Sequence, residues 1–283
     1  DSAEQQLTTA KSTLNIAKCS EQQLIHIWMC YPENSMMSSI QQVRFSISTI
    51  DLLSDDFSKL KKTEKSNNRE IKFNKSINIS NLYFKFEPNG RNILNNISLE
   101  IEKGQTVGFI GISGSGKSTL LQIIAGYIGL TKGQINWVNT AGENIDSSNI
   151  FQHISIAAPY LELVEEFTAL EQIYFHQQFK PLQSGLNPVE LLEKIGLVNT
   201  ADKQIRNFSS GMKQRLKLAL AIFDQAPILL LDEPCSNLDQ EGIQTYHQLI
   251  QAHATHKLII VASNDPQEYQ FCSQQVSLSD FKK

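Results

Sequence analysis

The sequence predicts an α/β fold with a mostly parallel β-sheet, an antiparallel β subdomain and a helical subdomain. Three observations support this class. An apolar run from Val107 to Ile110 leads into a glycine-rich loop and then a helical pattern, which gives the order strand, loop, helix. Residues 228–231 and 258–262 are further continuous apolar runs, which are typical of buried parallel strands. Residues 77–86 and 93–101 instead alternate apolar and polar positions, as half-buried antiparallel strands do, and a turn at 88–90 separates them.

The chain changes in composition near residue 75. Residues 1–75 contain no glycine, are rich in polar residues and carry a charged stretch at 59–69 that is typical of a solvated linker. We therefore predict a poorly defined, partly disordered N-terminal extension of unknown role, which is either a partner-binding appendage or a segment without a separate function. Residues 76–283 form the predicted main domain. Helical spacing of apolar residues marks a helical subdomain at about 160–224.

Composition excludes several classes of function. The chain has 283 residues, of which 41% are hydrophobic and 19% charged, with a net charge of -4. This slight negative charge gives no electrostatic reason to expect nucleic acid binding. No apolar run approaches the roughly 20 residues that span a bilayer, so a role at a membrane would need a partner. The four scattered cysteines form no metal-binding pattern and predict free thiols in a cytosolic protein.

The glycine-rich loop runs from Gly111 to Thr119 and satisfies the pattern G-x-x-x-x-G-K-[ST]. In such a loop, backbone N–H groups and the following helix N-terminus face the phosphates of a nucleoside triphosphate. We expect Lys117 to reach the β- and γ-phosphates and the Ser118 hydroxyl to bind Mg²⁺. The remaining residues expected to form the cradle are Gly111, Ser113, Gly114, Ser115, Gly116 and Thr119. The alternative is a plain turn rich in glycine and serine.

Two carboxylates, Asp232 and Glu233, follow directly after the apolar run at 228–231. Ligands of parallel sheets bind at the carboxyl ends of the strands. We expect Asp232 to bind Mg²⁺ and Glu233 to orient a water molecule or accept its proton. Phe86, about thirty residues before the loop lysine, is a candidate for stacking on an adenine ring, and strand-end packing is the alternative.

A Ser-Ser-Gly turn at residues 209–211 opens a strongly amphipathic helix. On its own such a cap is usually structural. However, it lies between the phosphate loop and the I-L-L-L-D-E-P of residues 228–234. This order of motifs resembles that of the ATPase domain of ATP-binding cassette proteins, and the resemblance covers residues 76–283. Residues 208–212 resemble the family signature L-S-G-G-Q, with Phe208, Ser210 and Met212 as departures. The S-N-L-D of residues 236–239 matches the family's D-loop.

This resemblance implies a P-loop NTPase core that binds ATP and Mg²⁺ in a head-to-tail dimer, formed with a second copy or a related ATPase domain. Each ATP would be held by one subunit's phosphate loop and by Ser209 and Gly211 of the other, with Asp239 at the same interface. It also implies ATP hydrolysis by a cytoplasmic subunit that drives transmembrane transporter subunits at the inner face of a membrane, without direct nucleic acid binding. A non-transport ATPase of this family and a slow ATP-dependent switch are the alternatives.

Two positions depart from the family pattern. Asn264 stands where the resemblance leads us to expect a switch histidine, and an amide can donate a hydrogen bond to the γ-phosphate or water but cannot carry positive charge. We therefore count Asn264 as a catalytic candidate and predict slow hydrolysis. Ala158-Pro159-Tyr160 stands where the family has a glutamine that contacts Mg²⁺. Residues 160–167 are an alternative surface for a partner.

Overall fold

A computed structural model of the chain describes residues 73, 75–139 and 141–281. These lie within one compact unit, Glu70–Lys283. Nearly all of the predicted N-terminal extension lies outside the described residues. The predicted boundary near residue 75 and the limits of the helical subdomain stay predictions.

A four-stranded antiparallel sheet covers one part of the unit. Its strands are β1 (Ser76–Phe84), β2 (Leu94–Glu102), β4 (Lys132–Val138) and β5 (Asn144–Ile145), in the order β2-β1-β4-β5. Ile77 of β1 lies opposite Ile101 on one side and Trp137 on the other, and all three are buried. The alternation in residues 77–86 and 93–101 is thus confirmed as antiparallel pairing of β1 and β2, with one face in the core.

A five-stranded parallel sheet forms the centre of the fold. Its strands are β3 (Thr106–Ile110), β6 (Ile154–Ala157), β7 (Ile228–Asp232), β8 (Leu258–Ser263) and β9 (Gln274–Ser277), in the order β6-β7-β8-β3-β9. Asp232 pairs with Ala262, and Ser263 pairs with Ile110. Because parallel strands end at one edge, the chain that follows β7, β8 and β3 emerges side by side.

Alternate residues of β7 face two hydrophobic clusters. Leu229 and Leu231 pack into one cluster with the helical segments, and Ile228 and Leu230 pack into the other with the antiparallel sheet. Each of the four side chains is fully buried, and such burial contributes roughly 1.5–3 kcal/mol per residue. This two-sided burial is the reason that β7 reads as an unbroken apolar run.

Six helices surround the sheets within residues 75–281: α1 (Lys117–Ile124), α2 (Ala169–Gln177), α3 (Pro188–Lys194), α4 (Ser210–Ile222), α5 (Gln240–His253) and α6 (Pro266–Tyr269). Thr168 and Asn187 begin α2 and α3 with capping boxes. α1, α5 and α6 each follow one of the strands β3, β7 and β8, so their first residues lie near the same edge of the sheet. That edge carries the candidate site.

Candidate active site

The phosphate loop connects β3 to α1 in a backbone conformation that requires glycine. Gly114 and Gly116 have φ angles of 72° and 100°, in the left-handed region. A Cβ on Gly116 would also lie 2.7 Å from Leu94 Cδ2. Gly116 is the N-cap of α1 and has no side chain with which to cap the helix. The first N–H groups of α1 therefore have no cap from a side chain and are available to an anion.

Lys117 is held against the loop that precedes it. Its side chain is buried, and Nζ donates to the carbonyl oxygens of Gly111 at 2.8 Å and Ile112 at 3.2 Å. A buried ammonium needs acceptors of this kind to offset its loss of hydration. These contacts hold the Lys117 charge against the phosphate loop, and its contact with the phosphates stays a prediction.

Asp232 and Ser118 meet at the carboxyl end of β7. Burial raises the pKa of the Asp232 carboxyl, while a hydrogen bond from Ser118 and the nearby charge of Lys117 oppose that rise. Asp232 Oδ1 is buried and has no hydrogen-bond partner among the described residues. Buried carboxylate oxygens require a partner, and a carboxylate with a hydroxyl is the oxygen donor set that Mg²⁺ prefers. These residues therefore fit a magnesium ion.

Glu233 lies next to this pair and turns the chain away from the sheet. Its φ angle is 45°, in the left-handed region, and its backbone N–H donates to the carbonyl of Ala262 on β8 at 2.9 Å. A non-glycine residue in this region costs on the order of 1 kcal/mol, and such strain is concentrated at functional sites. The side chain is partly exposed. Its carboxylate is therefore accessible to a water molecule.

Asn264 follows the last residue of β8 and is exposed. Since Ser263 pairs with Ile110, Asn264 emerges beside the start of the phosphate loop. Asp265 next to it caps α6 by accepting from the N–H of Gln267 at 2.9 Å. The predicted switch position is thus at the same edge as Glu233 and Lys117.

The signature turn makes its contacts elsewhere. Ser209 caps α4 by accepting from the N–H of Met212 at 3.2 Å, and it is exposed. A Cβ on Gly211 would lie 3.0 Å from the Asn237 carbonyl, so Gly211 packs on the D-loop. Asp239 caps α5 by accepting from Gly242 at 2.8 Å. No hydrogen bond among residues 75–139 and 141–281 joins this group to the phosphate loop.

Two aromatic residues, Phe86 and Tyr160, are candidates for the site. β1 ends at Phe84, so the predicted stacking residue Phe86 lies beyond the strand; its ring is 66% exposed and meets Phe84 edge-on, with the ring centroids 4.9 Å apart. Tyr160 was missed as a site residue. Burial raises the pKa of its hydroxyl to about 12, and the hydroxyl interacts with Gln122 of α1 and with the Asp232 carboxylate. Its position directly after β6 was the available signal.

A family model described as "ABC transporter" matches residues 94–236, which is half of the chain. The chain belongs to the ABC transporter family. It is 32% identical over 178 residues to the uncharacterized ABC transporter ATP-binding protein YybJ of Bacillus subtilis, a match that covers 62% of this chain and 80% of YybJ. It is 31% identical over 195 residues to the lipoprotein-releasing system ATP-binding protein LolD of Protochlamydia amoebophila, covering 66% and 86% of the two chains.

Solved structures of this family share the fold. A putative ABC transporter ATP-binding protein from Pyrococcus furiosus superposes with a TM-score of 0.62 at 21% identity, covering 74% of this chain and all of that one. The cassette MJ0796, solved as a dimer, gives a TM-score of 0.61 at 23% identity, covering 73% and 97%. Binding and hydrolysis of ATP are the activity of this family of ATPases. Within the described part of the chain, no helix is long and apolar enough to cross a bilayer.

Proposed function

We propose that the chain is the ATP-hydrolysing subunit of a membrane transporter and that it works as a head-to-tail dimer at the cytoplasmic face of the membrane. One observation carries the proposal: the phosphate loop, Asp232, Glu233 and Asn264 meet at one edge of the parallel sheet. The exposed signature turn has no hydrogen bond to that edge among the residues that the structure describes, which supports a site completed by a second subunit.

In this proposal the phosphate loop holds ATP. The amides from Ser113 to Lys117 and the first turn of α1 donate to phosphate oxygens, and Lys117 adds a positive charge. Phe86 stacks on the adenine with its exposed ring. Ser118 and Asp232 hold Mg²⁺, which when bound neutralises phosphate charge.

Hydrolysis depends on Glu233. Its carboxylate orients a water molecule and accepts the proton that the water loses as its oxygen bonds to the γ-phosphorus. The bond from the γ-phosphorus to the bridging oxygen then breaks, and ADP carries the bond's electrons. Asn264 donates a neutral hydrogen bond at the γ-phosphate, which is weaker than one from a charged imidazole, and slow turnover follows.

The second subunit completes the site with its Ser209 hydroxyl and Gly211 amide, which reach the γ-phosphate at the N-terminus of α4. Asp239 lies at the same interface. Because half of each site comes from the other copy, an isolated subunit hydrolyses ATP slowly. ATP binding closes the dimer, and product release reopens it.

A row of aromatic rings supports a membrane partner. Phe167 lies at the end of the predicted partner surface, residues 160–167, and meets Phe175 at a centroid distance of 5.4 Å; Phe175 meets Phe179 at 5.2 Å. Phe175 and Phe179 are 44% and 72% exposed. Exposed neighbouring aromatic residues are typical of protein interfaces.

Phosphate release by the purified chain with ATP and Mg²⁺ tests the enzymatic part. Glu233→Gln is expected to lower the rate at least about 100-fold and to keep ATP binding, because the amide cannot accept the proton. Glu193→Gln, at an exposed position on α3, is the matched control and leaves the rate unchanged. Equal rates for Glu233→Gln and the wild type would refute the role of Glu233.

Purification from native membranes tests the transport part. Recovery of a protein with several transmembrane segments supports it, whereas recovery of ribosomes or DNA overturns it. Phe179→Ser is expected to reduce recovery of the membrane partner. Val189→Ser, at a 44% exposed position on α3, is the control.

A slow ATP-dependent switch is the second candidate, and Asn264 favours it. Phosphate release measured with and without the membrane partner separates the two functions. The transporter subunit is expected to release phosphate faster when the partner is present, whereas the switch is not.

A further inference from the structure

The peptide group between Pro234 and Cys235 directly follows the candidate base Glu233. Both of its polar atoms are bound by side chains. The Pro234 carbonyl accepts from Gln214 Nε2 at 2.7 Å, and the Cys235 N–H donates to Glu268 Oε1 at 2.7 Å. One peptide plane is thus held from opposite sides, and we name the arrangement the peptide clamp.

The two sides of the peptide clamp come from different functional elements. Gln214 belongs to α4, the helix that begins at the signature turn, and is 3% exposed. Glu268 belongs to α6, which begins at Pro266 shortly after Asn264, and is 4% exposed. Water therefore cannot replace either side chain, and the loss of one would leave a buried backbone group unpaired.

The clamped peptide fixes the chain on both sides of it. The N–H of Ser236 donates to the Glu233 carbonyl at 3.1 Å, and the N–H of Leu238 donates to the Cys235 carbonyl at 3.0 Å. Both tight turns contain Cys235, the residue whose N–H is held by Glu268, so a rotation of the clamped peptide plane displaces both Glu233 and the D-loop. Glu233 has a left-handed backbone, and strain of this kind persists only where the surrounding structure holds it in place.

We propose that Gln214 and Glu268 are positioning residues for hydrolysis, which hold the Pro234–Cys235 peptide and thereby aim the Glu233 carboxylate at its water molecule. They link the signature helix and the switch segment to one peptide, so a movement of either element reaches the base. This inference rests on the proposed role of Glu233.

The chemistry of the clamp distinguishes it from ordinary packing. Glu268 needs only an acceptor oxygen, which a glutamine at that position also has. Gln214 needs a donor, which a glutamate of the same size lacks when ionised. Burial raises the pKa of Glu268 to about 7, and its oxygen can accept the N–H in either protonation state.

Steady-state kinetics of the full chain test the clamp. Gln214→Ala and Glu268→Ala are each expected to lower kcat about 10- to 100-fold, because a small misplacement of a catalytic group has effects of this size. KM for ATP is expected to stay within about twofold, since ATP is held by other residues. Glu268→Gln is expected to keep kcat within about threefold of the wild type.

Gln183→Ala is the matched control. Its Nε2 donates to the carbonyls of Ile222 at 3.1 Å and His253 at 3.0 Å, at the ends of α4 and α5 that lie away from the site. It removes side-chain hydrogen bonds to backbone as the clamp variants do, and kcat is expected to stay unchanged.

Unchanged kcat in both alanine variants would overturn the clamp, as would an equal fall in Glu268→Gln and Glu268→Ala. If the alanine variants fail to fold, the isosteric pair decides: Gln214→Glu must lose activity while Glu268→Gln keeps it. Glu233→Gln is assayed in parallel. Wild-type activity of that variant would refute the proposed role of Glu233, on which the clamp rests, whereas its inactivity beside fully active clamp variants would refute only the clamp.

Discussion

Asn264 is an exposed amide at the point where β8 ends. We predict that Asn264→His raises kcat about tenfold, because a charged donor forms a hydrogen bond about twice as strong as a neutral one. The gain should be largest below about pH 6.5, where an unperturbed histidine is protonated. Phosphate release measured from pH 5.5 to 8.5 checks this. Turnover equal to that of the wild type across this range would contradict the assigned role.

Lys117 is buried against the loop carbonyls that it bonds. We predict that Lys117→Ala weakens ATP binding about 10- to 100-fold, because hydrogen bonds to charged groups contribute about 1.5–3 kcal/mol. Titration with a fluorescent ATP analogue measures the change. Lys132→Ala removes an exposed lysine that lies over the Tyr83 ring and serves as the control. Equal affinities for the two variants would show that Lys117 does not reach the phosphates.

At the scale of elements, α6 carries the carboxyl group of Glu268, which is buried and therefore ionises less readily than an exposed one. Burial raises the pKa of Glu268 to about 7, and the neighbouring carboxylates of Asp265 and Glu233 act in the same direction. The folded state therefore binds a proton that the unfolded state has released above about pH 4.3. This contribution to stability is complete at low pH and is lost as the pH rises through about 7.

Glu268→Gln removes that pH dependence. We predict equal melting temperatures for variant and wild type near pH 4.5 and a melting temperature about 3–6 °C higher for the variant at pH 8.5. Differential scanning calorimetry at several pH values measures the difference. A wild-type advantage that grows with pH would have the wrong sign and would contradict burial as the dominant cause.

The sequence was sufficient for the elements that carry a periodic or local signal. β7 and β8 are apolar up to their last residue because both faces are covered, and residues 77–86 and 93–101 alternate because one face of that sheet is solvated. The phosphate loop could be located because its glycines have left-handed backbones that other residues adopt at a cost.

Contacts between distant elements left no such signal. The bond from Gln214 to Pro234 joins residues 20 positions apart, and that from Cys235 to Glu268 joins residues 33 apart. Neither pair has a spacing that could be read along the chain. Phe86 was expected at the end of a strand that stops at Phe84, because the alternating pattern continues after pairing has ended. The involvement of Tyr160 depends on where α1 packs, which no local pattern encodes.

At the scale of the whole molecule, the central prediction concerns assembly. We predict that Glu233→Gln forms a stable dimer in ATP, because bound ATP joins the two subunits and is not hydrolysed. Gel filtration with ATP and with ADP measures this, and only ATP should shift the elution volume to that of a dimer. Adding Ser209→Ala to the Glu233→Gln chain should weaken the shift. A chain that stays monomeric at millimolar ATP would contradict a site shared between subunits.

The exposed position of Asn264 has a further consequence for how this ATPase could diverge from its relatives. Its side chain lies outside both hydrophobic clusters, so exchanging it changes neither strand pairing nor core packing. Under the proposed role of Asn264, one substitution at this position changes the lifetime of the ATP-bound state at little cost in folding. Natural selection could in this way lower the rate of ATP hydrolysis to suit a substrate that is transported slowly, while the rest of the domain is retained.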